Sequence, residues 1–149
     1  MDEHNMALQS GISAFEAKDF TLALRLLSPL AEGGNSEAQY RLAMMFHNGL
    51  GRVQNNEAGF RWMCAAAEQG HALAQHGLGV MYLYGECAEK DESKAAEWFR
   101  RAAEQGLPGA QMTLGMLYEN GQGVEKDMEQ ARHWYRLAEE GGREDADKK

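Results

Sequence analysis

Three tryptophans, Trp62, Trp98 and Trp134, stand 36 residues apart, and many other residues keep the same interval. In that frame Leu42, Leu78 and Leu114 align, as do Phe46, Tyr82 and Tyr118, then Gly49, Gly85 and Gly121, then Asn55, Asp91 and Asp127. Ala66, Ala102 and Ala138 follow, then Gly70, Gly106 and Gly142, and successive units open at Ala38, Ala74, Ala110 and Ala146. A period in this range marks a supersecondary unit stacked on copies of itself, since one such unit alone has nothing to bury its apolar face against. Each residue is therefore read first by its column in the repeat and only then for chemistry.

Each unit reads as two helices. "AQMTLGMLY" is apolar at Ala110, Leu114, Leu117 and Tyr118, and "MEQARHWYRLAEE" at Ala131, Trp134, Tyr135 and Ala138, both with helical spacing. Asn55, Asp91 and Asp127 precede the second helices, where a short side-chain acceptor caps free N–H groups, and Gly70, Gly106 and Gly142 are placed to end them in a left-handed conformation. The glycine-rich stretch "GMLYENGQGVEKD" between the two helices has the look of a phosphate loop. A phosphate loop occurs once, after a strand, and carries Lys-Ser/Thr. Here the glycines recur at Gly49 and Gly51, at Gly85, and at Gly121 and Gly123, always between helices, so the stretch is a turn.

The frame divides the chain into units 6–37, 38–73, 74–109 and 110–145 with a tail, 146–149. The first unit, with a shorter turn after "GISAFEAKDF", caps the array, and Pro29 inside its second helix is expected to kink it. At the other end Glu139 occupies the column of Ala67 and Ala103, so the face toward a further repeat has become polar, which is how a stacked array stops. A monomer is expected, with pairing of two copies through Leu137 and Tyr135 at that end as the alternative.

The pattern Ala-x-x-x-Leu-Gly-x-x-Tyr-x-x-Gly-x-Gly-Val, followed by Asp-x-x-x-Ala-x-x-Trp-Tyr and then Ala and Gly, runs through residues 110–142 and resembles the Sel-1-like repeat, a relative of the tetratricopeptide repeat with a longer connecting loop. Departures are Cys87-Ala88 in place of Gly-Val, Arg52 after Gly51, and Gly59 in the column of Ala95 and Ala131. The resemblance implies an all-α, right-handed α-α solenoid of four helix pairs, one tetratricopeptide-like N-terminal unit and three Sel-1-like repeats. It also implies a non-catalytic scaffold or adaptor that binds a protein or peptide, as family members do in signalling, protein quality control and bacterial host contact. Two alternatives stay open. One is a hydrolase or cell-wall-ligand binder of the cysteine-rich branch of the family, linked to penicillin binding, although the paired repeat cysteines of that branch are missing here. The other is an immunity or inhibitor protein for a bacterial effector.

Composition bears on partners. The formal net charge of −8, without a basic stripe, argues against nucleic acid and anionic membrane surfaces, and no apolar run is long enough to span a bilayer. "MDEHNMALQS" lacks a basic, then apolar, secretory pattern, so the sequence as given reads as cytoplasmic, with a removed leader left open. Cys64 and Cys87 have no CxxC or Cys/His spacing, His71 and His76 are five apart, and no Gly-x-Ser-x-Gly or His-Glu-x-x-His occurs. No catalytic residue, metal or cofactor is expected. Cys64 shares its column with Arg100 and Arg136 and so reads as a surface thiol, with Arg61 one turn away to lower its pKa if it has a redox role.

The first helices carry the functional signal. With Ala38, Leu42, Met45 and Phe46 on one face of the second unit's first helix, Tyr40, Met44 and His47 point roughly opposite. The same columns hold His76, Val80 and Leu83, then Met112, Met116 and Glu119. This Met-rich, aromatic strip with an acidic edge is a candidate groove for a partner segment, and packing of the first helices on two neighbours is the competing reading. The tryptophan columns are expected in the core, with Trp98, in a unit with neighbours on both sides, the most sensitive.

Overall fold

The structure is a computed structural model that describes residues 3–51 and 54–147, and every regular element among them is an α-helix. In chain order these are α1 (Glu3–Glu16), α2 (Phe20–Glu32), α3 (Ser36–Asn48), α4 (Asn56–Glu68), α5 (Ala72–Tyr84), α6 (Glu92–Glu104), α7 (Pro108–Asn120) and α8 (Met128–Asp147). They gather into two compact units, Met1–Ala74 and Gln75–Lys149. Arg52 and the last two residues of the tail, Lys148 and Lys149, lie outside the described residues.

The caps fix where helices begin. Asn55 accepts the Ala58 N–H at 3.1 Å, Asp91 that of Lys94 at 3.1 Å, and Asp127 those of Glu129 and Gln130 at 3.0 and 3.1 Å. Asp19 does the same for Leu22 at 3.2 Å. First helices are capped too. Asn35 accepts from Ala38 at 2.9 Å, and in the same column His71 Nδ1 accepts from Ala74 at 3.1 Å. α7 starts instead on Pro108, whose missing N–H is no loss at a helix start.

The loops after α3, α5 and α7 share two backbone hydrogen bonds to the preceding helix. Gln122 donates to the Leu117 carbonyl and Asp127 to that of Tyr118; Glu86 to Met81 and Asp91 to Tyr82; Leu50 to Met45 and Asn55 to Phe46, all at 2.8–3.0 Å. The backbone N–H groups at the start and the end of each turn are thus spent on the preceding helix. Gly123 has φ +71°, and a Cβ there would run into the Glu92 carbonyl at the start of α6, so glycine is required twice over. Cys87 occupies the equivalent place at φ +65° without being glycine, a strained position for its residue type.

Helix ends follow the frame until the last. Gly70 and Gly106 are left-handed at φ +96° and +92°, whereas α8 runs straight through Gly141 and Gly142 to Asp147. Gly142 therefore does not end its helix as its column suggested. Glycine permits a left-handed turn without compelling one, and the good helix formers that follow carry the helix on. α2 likewise continues through Pro29 to Glu32.

In the first unit Ala23, Leu27, Ala31, Ala38, Leu42 and Met45 form a core that is at most 2% exposed. In the second, α6 turns Ala95, Phe99, Ala102 and Ala103 inward, and Phe99 is fully buried. Its ring fits because α5 offers Gly79, where a Cβ would already lie 3.0 Å from three ring atoms; Gly115 on α7 makes the same allowance for the Tyr135 ring. The tryptophan expectation needs correction. Trp134 is buried at 8%, but Trp62 and Trp98 are half-buried, and Trp98 lies under the Arg101 guanidinium at 4.6 Å. One residue onward along the helix, Phe99 is fully buried.

Candidate partner-binding face

In the first unit the candidate residues on α3 are half-buried and tied down. Tyr40 stacks on the His71 ring, 4.7 Å between centroids at 26°. His71 Nε2 lies 2.6 Å from Glu37 Oε2, and Arg41 Nε donates to Glu37 Oε1 at 3.1 Å while its guanidinium covers the Phe15 ring. Burial works to raise the Glu37 pKa, but the hydrogen bonds from His71 and Arg41 outweigh it and hold the carboxyl below its ordinary value. With Nδ1 capping α5 and Nε2 on Glu37, both His71 nitrogens are engaged in holding structure. Met44 and His47 are half-buried, and the His47 backbone packs against Gly59, which explains glycine in a column otherwise held by alanine.

In the second unit the same columns diverge. Leu83 is only 6% exposed and belongs to the core with Ala95, Ala96, Phe99 and Leu117, so it drops out of the candidate strip. Val80 is half-buried against the same cluster. His76 lies edge-on to the Phe99 ring at 5.3 Å, and burial pushes its pKa down. On α7 the picture reverses. Met112 is 51% and Met116 38% exposed, and Glu119 is exposed with one carboxylate oxygen accepting the Tyr135 hydroxyl at 2.6 Å. That hydrogen bond, with burial and the carboxylate charge behind it, pushes the Tyr135 phenol up to about 12.

Sequence reasoning passed over Tyr84, the last residue of α5, which is 64% exposed. Its column otherwise holds Asn48 and Asn120, and a large aromatic in a polar column was the signal available. Cys64 is half-buried and not fully exposed, and burial together with the Glu68 charge pushes its thiol up to about 11, which runs against the redox reading in which Arg61 lowers it. Burial also raises Cys87. No group of three or more His, Cys, Asp or Glu side chains able to hold a metal occurs among the described residues, and no helix among them is long and apolar enough to cross a membrane.

Consecutive helix pairs joined by recurring loops define a helical-repeat protein. The Sel1 repeat family matches residues 3–35, 36–71, 72–107 and 108–142, and the chain belongs to that family. It is similar to a Sel1 repeat protein from Oxalobacter formigenes, with 36% identity and a TM-score of 0.86 over 89% of this chain and 55% of that one. It is also similar to a protective antigen of SLR fold present in uropathogenic Escherichia coli strains, with 37% identity and a TM-score of 0.88 over 94% of this chain and 31% of that one. The chain thus spans about half and about a third of the lengths of these two. Helicobacter pylori cysteine rich protein B shares the fold at 24% identity and a TM-score of 0.66, over 86% of this chain and 92% of that one. No curated protein matches the chain. The fold class is an all-α solenoid of helix pairs, and proteins built from this repeat are in general non-catalytic scaffolds for protein interaction.

Proposed function

We propose that the chain binds a segment of another protein, without catalysis, on the outward face of α7. The observation that carries this reading is the exposure of Met112 and Met116, 51% and 38%, on a helix whose opposite side, Ala110, Leu114 and Leu117, is fully buried. Water gains nothing from two adjacent thioethers, whereas an unbranched, polarisable side chain adapts to the shape of a partner. Residues i and i+4 on a helix are neighbours, so the two methionines make one continuous ridge. Tyr40, Met44 and His47 in the first unit, and His76 and Val80 in the second, are half-buried.

A photoreactive benzophenone side chain placed at Met112 should crosslink one partner protein in cells of the native host, while the same group at exposed Glu97 on α6 should not. Equal crosslinking from both positions, or none from Met112, would remove the binding face.

A further inference from the structure

Met112, Met116 and Glu119 are spaced i, i+4 and i+7, which puts them along one line of α7. Glu119 is the sole charged residue of this helix, and it lies in the last turn, next to the negative pole of the helix dipole. An acid is locally unfavourable there, where a lysine or arginine would stabilise. No Lys, Arg or His among the described residues pairs with Glu119, and its one partner is the Tyr135 hydroxyl at 2.6 Å. That hydroxyl orients the carboxylate and leaves its charge in place. A carboxylate can accept several hydrogen bonds, so acceptor sites remain toward solvent beside the two methionines.

From this placement we infer that the segment received by α7 is both apolar and cationic: an apolar side chain lies against Met112 and Met116, and a lysine or arginine beside it reaches Glu119. The inference rests on the reading of α7 as a partner-binding face and adds the chemistry that the partner must carry. The ridge alone would accept any apolar side chain; the oriented carboxylate adds a preference for a positive neighbour and a penalty for a negative one. The chain's net charge of −8 acts in the same sense at longer range.

The probe is a random 12-residue peptide library displayed on phage and selected against the full chain, with the double variant Met112→Ser/Met116→Ser as the counter-selection. Selected peptides should carry Lys or Arg within four residues of Met, Leu or Phe. Binding of one such synthetic peptide should weaken about threefold to fivefold in Glu119→Gln at low salt, and that difference should shrink as salt is raised. Glu119→Lys should weaken it further, and a peptide with its own lysine changed to glutamate should regain binding to that variant. Peptides that discriminate the methionine variant but bind Glu119→Lys unchanged would overturn the cationic requirement and leave the binding face standing. A library that yields no peptide distinguishing the parent from the methionine variant would overturn both.

Discussion

Gln69 donates its side-chain amide to Gln39 at 2.8 Å, and Gln105 does the same for Gln75 at 2.9 Å. The receiving glutamines are buried, 6% and 4% exposed, and Gln39 in turn donates to the Ala31 carbonyl at the end of α2 at 3.0 Å. Gln111 repeats the outer half of this pattern, donating to the Ala103 carbonyl at 3.1 Å. The inner half is missing there, because Gly141 stands in the column of Gln69 and Gln105, and Gln111 Oε1 is buried without a partner.

Two glutamines in one column should therefore differ in worth. Gln39→Met gives up two hydrogen bonds and should cost about 1–2 kcal/mol in urea unfolding, while Gln111→Met gives up one and removes a buried orphan acceptor, leaving a change close to zero. Equal losses at the two positions would contradict the ladder.

The caps predict a different contrast. Replacing Asp91 or Asp127 with Ala should cost about 1 kcal/mol each in thermal or urea melts, and replacement with Asn very little, since an amide oxygen accepts the same backbone N–H groups. If Asn were as damaging as Ala, the negative charge and not the cap would be what matters.

Core depth ranks the two adjacent aromatics of α6. Phe99→Ala should cost about 3–5 kcal/mol, a large share of a typical domain's stability, and Trp98→Ala clearly less, because the indole is half-buried under Arg101 while Phe99 is enclosed. Thermal melts of the two variants side by side decide the order.

Columns carried most of the fold. The 36-residue period anticipated the paired helices of the three later repeats, the turn between them and the caps of their second helices, because each follows from local chemistry that recurs with the repeat. A column states what a residue is and leaves open what covers it. Leu83 and Glu119 share a column, yet Leu83 packs beside Phe99 while Glu119 faces water; Val80 and Met116 share another and differ in the same direction. The period puts the tryptophans in the core and makes Trp98, with neighbours on both sides, the most sensitive, whereas the fully buried residue is Phe99, whose column varies as Met63 and Tyr135 and whose ring is accommodated by Gly79, as the Tyr135 ring is by Gly115. Gly142 shows the limit from the other side, since a glycine ends a helix only where the residues after it turn away.

Acid should find Glu37. Its carboxyl is held below the ordinary 4.5, so its contribution to stability is fully present above that value and is lost as pH falls through the lower, folded pKa. Melting temperature of the parent should thus fall more steeply between about pH 5 and pH 3 than that of Glu37→Gln, which should be less stable than the parent at neutral pH. Parallel pH profiles would show that the Arg41 and His71 contacts contribute nothing to folding.

The most direct test of the proposed binding face is made on Met112→Ser/Met116→Ser. Both side chains are exposed, and exposed substitutions usually change stability by about 0.5 kcal/mol or less each, so helicity should be unchanged and the melting temperature should stay within a few degrees of the parent. The partner crosslinked from Met112 in the parent should no longer be captured by this variant in a pull-down from the same cells. A folded variant that still captures that partner at the parental level, or a variant that loses its helicity, would contradict the assignment of α7 as the surface on which this chain receives another protein.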